Sequence, residues 1–216
     1  RMGTPWTGGD EPPVQDDQRS FLIGIDLRTQ KMIFDRITPG AAGWEFESSP
    51  IATEAHLFVA LRRRDPASAQ VRVACYSIDT GRLVWQRDLL RAEAVRGALF
   101  EIANSALAMS DDTLYFNTNL GAVAALRASD GRVRWIYRYP RSGLRGADLD
   151  YDDRHWARDQ APCLLHREQV IVAPRDSDQL LSIDAGHGQL LWATAPGVAV
   201  DAVHLAGVGA QHLIAS

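Results

Sequence analysis

The stretch Ala122-Val-Ala-Ala-Leu-Arg-Ala-Ser-Asp-Gly-Arg-Val-Arg-Trp135 decides the fold, because three other segments of the 216-residue chain repeat its pattern. Those segments end at Phe34, Trp85 and Trp192, so successive terminal aromatic residues lie 51, 50 and 57 positions apart. Self-similarity at this period is the sequence signature of a repeat architecture. Each copy is therefore expected to be one structural unit in a stack of similar units.

The columns of the alignment predict a β-hairpin in every copy. A turn position, four residues before the aromatic, holds Gln30, Gly81, Gly131 and Gly188. Glycine is favoured where a tight hairpin requires a positive φ. A small residue precedes the turn by six positions in every copy: Gly24, Cys75, Ala125 and Ser182. The small side chain leaves room for a bulky group, and we expect the aromatic residue of the same repeat to fill it. The tryptophans of this column, Trp85, Trp135 and Trp192, should therefore be largely buried.

A second hairpin pattern lies upstream in three of the units, at residues 49–60, 105–116 and 161–172. Two hairpins make a four-stranded antiparallel sheet that cannot bury both faces alone, so copies must stack as blades of a β-propeller. The small-to-tryptophan pattern with its glycine turn resembles the pyrroloquinoline-quinone (PQQ)-like propeller repeat, whose consensus is Ala-x-Asp-x-x-Thr-Gly-x-x-x-Trp. This resemblance extends over residues 21–216.

The predicted fold class is all-β, an arc of four-stranded antiparallel blades with a half-blade at each end. The resembled family usually has seven or eight blades, so we expect this chain to be part of a larger propeller whose remaining strands lie outside it. Uncovered sheet edges would then make the isolated segment poorly soluble. The predicted segments are an irregular Pro/Gly/Asp-rich linker at 1–20, a half-blade at 21–39, blades at 48–89, 103–140 and 160–196, and a half-blade at 201–216.

Composition and charge exclude some classes of function. The net charge of −4 does not favour nucleic-acid binding, and the run Arg62–Arg64 is interpreted as a solvated turn beside Asp65. No run approaches the roughly 20 apolar residues of a membrane helix, so no transmembrane segment is predicted. Cys75 and Cys163 occupy different columns and are expected to be small buried hydrophobic residues rather than a disulfide.

The sequence gives little support for catalysis or metal binding. The resemblance to quinone-dependent dehydrogenases implies a PQQ cofactor, a calcium ion, an aspartate base and, in many members, an adjacent-cysteine disulfide. This chain has no Cys-Cys pair, and no position matches the calcium ligands or the base. Asp148, Asp150 and Asp152 suggest a calcium loop, but Asp153 stands where the sharp turn of such a loop requires glycine. We therefore predict no metal and no cofactor, with PQQ and calcium as the alternative.

Long connections are the best candidates for a functional surface, because propeller loops sit on a rigid scaffold. We expect the connections 35–47, 86–102 and 136–160 to lie on one face, with a short helix in 86–102. The predicted binding residues on these connections are Trp44, Arg145, His155 and Trp156. Aromatic and arginine side chains supply large contact area and directional donors. The alternative is that Trp44 and Trp156 only cover the ends of blades.

The favoured functional hypothesis is a non-catalytic scaffold, resembling the outer-membrane assembly lipoprotein with quinoprotein-like repeats. That resemblance implies an extracytoplasmic location, in the periplasm or envelope, and protein partners or the remaining blades of a longer chain. Departures from the consensus at Phe34, Gln30 and Arg127, with the missing cysteine pair, favour it over the dehydrogenases. The alternatives are a part of a PQQ-dependent dehydrogenase and, third, a carbohydrate-binding or sensor domain.

Overall fold

The computed structural model describes residues 20–65, 67–93, 107–141, 162–199 and 202–216, and within these ranges it contains strands and loops but no helix. The strands are β1 (Leu22–Ile25), β2 (Met32–Ile37), β3 (Trp44–Phe46), β4 (Ile51–Ala52), β5 (His56–Asp65), β6 (Ser68–Ser77), β7 (Leu83–Glu93), β8 (Leu107–Ser110), β9 (Thr113–Asn117), β10 (Ala122–Arg127), β11 (Val133–Arg138), β12 (Leu164–His166), β13 (Gln169–Val172), β14 (Leu181–Asp184), β15 (Leu190–Ala193), β16 (Leu205–Val208) and β17 (Leu213–Ala215).

These strands form the predicted arc of β-propeller blades. β8 to β11 and β12 to β15 are four-stranded antiparallel meanders, and β3 to β7 form a blade whose first strand is split into β3 and β4, both paired with β5. The first strands of successive sheets contact each other, β4 with β8, β8 with β12 and β12 with β16. The first strands therefore follow one another along the inside of the arc.

The two terminal hairpins are separate two-stranded sheets. β1 pairs with β2 and β16 pairs with β17, and no pairing joins these two sheets within the described ranges. Each packs its apolar side chains on the adjacent blade: Phe34 on the core around Leu57 and Val59, and Leu213 on the core around Ile171. The described residues thus form an open arc and not a closed four-bladed ring.

The turn column has the backbone conformation that the sequence predicted. Gly81, Gly131 and Gly188 have φ values of 66°, 67° and 72°, and Gln30, the departure from glycine, has a φ of 57°. The small residue of each repeat lies directly across the hairpin from its own aromatic; Ala125, for example, is the Cα partner of Trp135. Both expectations about the repeat are confirmed.

Each aromatic residue also contacts the next repeat. A Cβ added to Gly188 would lie 2.6 Å from the ring of Trp135, and one added to Gly131 would lie 2.5 Å from the ring of Trp85. Trp135 also donates a hydrogen bond from Nε1 to the carbonyl oxygen of Ala185 at 2.9 Å. The turn glycine therefore serves two needs, a positive φ and a flat surface for the preceding blade's tryptophan.

Burial of the three tryptophans is unequal, contrary to the expectation that all would be buried. Trp135 is only 8% exposed and Trp85 is half-buried, but Trp192 is 37% exposed. Trp192 has a small cross-strand partner, Ser182, like the others. Among the described residues no turn glycine of a following repeat lies against the Trp192 ring, so Trp192 lacks the second contact that covers Trp135.

Three further expectations need correction. Residues 86–93 are not helical, because β7 continues to Glu93 and pairs with β6 along its whole length. The connection 35–47 is not one loop, because Trp44–Phe46 is strand β3. Arg62 is not a solvated turn residue: it is 1% exposed within β5, where its guanidinium pairs with the buried carboxylate of Glu47.

The core is divided among the interfaces between blades. One buried cluster joins β5 and β6 to β8, β9 and β10, and a second joins β9, β10 and β11 to β13 and β14. Cys75 belongs to the first cluster and Cys163 to the second, and both are free thiols. Burial raises the pKa of each thiol to about 12, so both act as small hydrophobic residues, as predicted.

Candidate functional site

One face of the arc gathers the ends of several strands and the starts of the longest connections. We define the loop face as the side on which β5 ends and β6 begins, together with the β9–β10 loop (118–121), residues 139–141 after β11, and the β13–β14 loop (173–180). The carbonyl oxygen of Glu93 accepts a hydrogen bond of 2.8 Å from Nη1 of Arg141. The connections that follow residues 93 and 141 therefore begin side by side on this face.

A buried polar network holds the loops of this face in place. The carboxylate of Asp176, 3% exposed, accepts hydrogen bonds from the Tyr139 hydroxyl at 2.7 Å, from Nε of Arg141 at 2.7 Å and from the Gly121 backbone N–H at 2.8 Å. Burial raises the pKa of the Tyr139 phenol well above its ordinary value, and the charge of Asp176 raises it further. Tyr139 therefore stays protonated and donates to Asp176.

A second buried charge joins the neighbouring pair of blades. Nη2 of Arg62 donates to the carbonyl oxygen of Thr118 at 2.7 Å, while its Nε pairs with Glu47. Removing one partner of such a buried pair generally leaves an uncompensated charge, which is costly. Both networks stiffen the loop face, since each ties a side chain of one blade to the backbone of an adjacent blade.

Between β7 and the blade formed by β8 to β11, the loop face contains a groove with a volume of about 400 Å³. This volume is within the range of about 300–1,000 Å³ that is usual for ligand pockets. Apolar side chains and three arginines line it, and none of its described lining residues is acidic. We call it the arginine groove; its lining residues are Leu89, Leu90, Arg91, Ala92, Leu120, Gly121, Ala122, Ile136, Arg138, Tyr139 and Arg141.

The three arginines differ in their availability. Arg141 is held by Asp176, and its side chain is 9% exposed. Arg91 donates to the Ser68 hydroxyl at 2.8 Å and lies 3.6 Å from the carboxylate of Asp65. Arg138 is exposed, and its guanidinium has no ion pair or hydrogen bond with any other described residue. The groove can therefore attract an anionic group and offer it Arg138 as a donor.

Of the predicted binding residues, only Trp44 lies in the described ranges. Trp44 is 7% exposed, and its ring is covered by the guanidinium of Arg72, 4.1 Å from the ring centroid. Little of the indole is therefore exposed to solvent. Arg145, His155 and Trp156 lie outside the described residues, as do the aspartates of the calcium-loop pattern, Asp148, Asp150 and Asp152.

The arginine groove is not among the features that the sequence predicted. Arg138 and Arg141 were visible at the end of a predicted blade, next to the longest connection, and that position was the available signal. Asp176 gave no signal, because its burial depends on Tyr139 and Gly121 of a different blade. Among the described residues no group of three or more His, Cys, Asp or Glu side chains is arranged to hold a metal ion.

The sequence profile of the family described as "Outer membrane protein assembly factor BamB" matches residues 37–210, most of the chain. The chain belongs to this family. No curated protein sequence matches it significantly. In the part of the chain with described coordinates, no helix is long and apolar enough to cross a membrane.

Solved structures of low sequence identity share the fold. BamB from Moraxella catarrhalis is 14% identical, with a TM-score of 0.51, over 82% of this chain and 43% of that one. The quinohemoprotein alcohol dehydrogenase from Comamonas testosteroni is 13% identical, with a TM-score of 0.57, over 82% and 32%. A quinohemoprotein alcohol dehydrogenase from Pseudomonas putida HK5 is 15% identical, with a TM-score of 0.55, over 82% and 32%. The chain thus spans less than half the length of each of these proteins.

Proposed function

We propose that this protein is a non-catalytic propeller scaffold of the cell envelope that takes part in outer-membrane protein assembly by binding a protein partner through the loop face. Membership of the BamB family supports the assembly role and the extracytoplasmic location. The observation that carries the proposal is the hydrogen bond from Arg141 to the carbonyl of Glu93, which brings the starts of two long connections together beside an amphiphilic groove.

The architecture of this face suits binding. Interfaces are usually built from aromatic and arginine anchors with apolar surroundings, and a small number of such residues carries most of the binding energy. The arginine groove supplies arginines and apolar side chains, and the hydrogen bonds to Asp176 hold the loops beneath them in place.

The proposal predicts how a tryptophan of the adjoining connection behaves. In the full-length protein, Trp156→Ala should weaken binding to the other proteins that assemble outer-membrane proteins in the same organism, and it should leave the Tm nearly unchanged. Biolayer interferometry and differential scanning calorimetry measure the two quantities. A large drop in Tm with unchanged binding would make Trp156 a structural lid and remove it from the proposed interface.

A titration with PQQ and calcium separates the scaffold from the dehydrogenase alternative. The scaffold predicts no saturable binding of the quinone, seen by its absorbance, and no alcohol oxidation with an artificial electron acceptor. Stoichiometric binding with calcium-dependent oxidation would overturn the proposed function and assign the protein to the quinoprotein dehydrogenases.

A further inference from the structure

The charge of the arginine groove is unbalanced. The chain as a whole has a net charge of −4, yet the described residues that line the groove include Arg91, Arg138 and Arg141 and no carboxylate. Asp65 and Asp176 satisfy Arg91 and Arg141 from outside the lining. The guanidinium of Arg138, by contrast, meets no carboxylate or carbonyl oxygen among the described residues. The position beside Arg138 is thus the place where an external anion gains most.

Part of the lining of the same groove is apolar. Leu120 is buried, Leu89 and Leu90 are half-buried, and Ile136 is 41% exposed on the same strand as Arg138. A simple anion such as phosphate would use the arginines and leave this surface in water. An occupant that covers Ile136 while it neutralises Arg138 uses both the guanidinium and the apolar surface. Burial of apolar surface then adds to the charge-assisted contact.

We propose that the arginine groove binds an acidic peptide segment of a protein partner, in which a carboxylate-bearing residue stands next to a large apolar residue. The carboxylate pairs with Arg138, and the neighbouring apolar side chain covers Leu89, Leu90 and Ile136. The volume of about 400 Å³ suits one or two side chains rather than a folded surface. This inference rests on the proposed function and names the chemistry of the partner.

The test uses the full-length protein and fluorescein-labelled synthetic peptides, followed by fluorescence anisotropy. A peptide of alternating Glu and Leu should bind, and its Gln–Leu counterpart should bind roughly ten-fold more weakly, because the carboxylates are lost. Arg138→Glu should lower the affinity for the Glu–Leu peptide by at least about ten-fold. The exposed guanidinium of Arg138 supports no other described residue, so the Tm of the Arg138→Glu variant should stay close to that of the wild type.

Two variants make the comparison specific. Arg134→Glu changes the same charge near the other end of β11, where Arg134 is exposed beside Asp112, and it should leave peptide affinity within about two-fold. Ile136→Ala removes part of the apolar lining and should weaken binding of the Glu–Leu peptide by about three-fold. Equal affinity of the Glu–Leu peptide for the Arg138→Glu and Arg134→Glu variants would contradict the proposal.

Other occupants would give different results. If inorganic phosphate binds alone with the same sensitivity to Arg138→Glu, and the Glu–Leu peptide does not outbind it, the groove is a simple anion site and the inference is wrong. Tighter peptide binding after Asp148, Asp150 and Asp152 are changed to Asn would assign the groove to this chain's own acidic segment. If Trp156→Ala weakens partner binding but Arg138→Glu does not, the proposed function stands and this inference fails.

Discussion

The substitution Trp135→Ala probes the contact that joins one repeat to the next. The indole is 8% exposed, packs across the hairpin from Ala125 and covers Gly188 of the following blade. Loss of a large buried aromatic side chain typically costs about 3–5 kcal/mol, through lost burial and the cavity that remains. Loss of the Nε1 hydrogen bond to Ala185 adds about 1 kcal/mol, which favours the upper part of this range.

Trp192→Ala is the matched control, because it removes the same side chain from the same column of the repeat. Trp192 is 37% exposed and no following turn covers it, so the expected loss is only about 1–2 kcal/mol. Urea unfolding of the 216-residue chain at low protein concentration, followed by far-UV circular dichroism, gives both values from the midpoint and the slope m. Equal losses for the two variants would refute the claim that contact with the next repeat buries Trp135.

A double-mutant cycle with Gly188→Ala isolates the contact itself. The new Cβ would lie 2.6 Å from the Trp135 ring and would also sit at a φ of 72°, where a left-handed conformation costs a non-glycine residue about 1–2 kcal/mol. Gly40→Ala, at a φ of 78° with no atom within 4 Å of the new Cβ, measures the conformational cost alone. In the Trp135→Ala background the cost of Gly188→Ala should fall to that value; additive losses would contradict the proposed contact.

Three other predictions concern the polar network, the turns and the thiols. Asp176→Asn should lower the free energy of unfolding by about 2–4 kcal/mol, because a buried partner of Arg141 is lost, whereas Asp79→Asn in an exposed turn should change it by less than about 0.5 kcal/mol in the same urea assay. The backbone N–H groups of Arg132 and His187 hold the pKa values of Asp130 and Asp184 below 3.8, so these carboxylates stabilise the fold above pH 3.8 and the effect is lost as the pH falls through the lowered values. Changing both to Asn should flatten the acid side of the pH–stability curve, and an unchanged curve would contradict this. With thiol pKa values of about 12, Cys75 and Cys163 should resist iodoacetamide in the native protein at pH 8 and react after unfolding, so fast native labelling, read by mass spectrometry, would contradict their burial.

The sequence was sufficient for the repeat and its local geometry. Column spacing predicted the hairpins, and even Gln30, the departure from glycine, has the positive φ that the column requires. The cross-strand pairing of Ala125 with Trp135 follows from the same spacing, because a hairpin turn fixes the register of its two strands. These are local consequences of strand period and turn chemistry.

Properties that depend on neighbouring blades were not predictable in the same way. The helical composition of residues 86–93 was overruled by pairing of β7 with the long strand β6, since tertiary context outweighs weak local propensity. The exposure of Trp192 reflects the lack of a contact with a following repeat among the described residues. An alignment of single repeats contains no information about contacts between repeats. The arginine groove combines β7 of one blade with β11 of the next, so no single stretch of sequence shows it.

Site-specific photocrosslinking tests the central claim, that the loop face binds a protein partner, most directly. A photoreactive amino acid is placed at position 140, on the loop face beside the arginine groove, or at position 82, in the β6–β7 turn at the opposite end of the strands, in the full-length protein in its own cells. Position 140 leaves Arg138 in place. A crosslink is expected from position 140 to a protein that takes part in outer-membrane protein assembly, and none is expected from position 82. The same product from both positions, or crosslinking only from position 82, would contradict it.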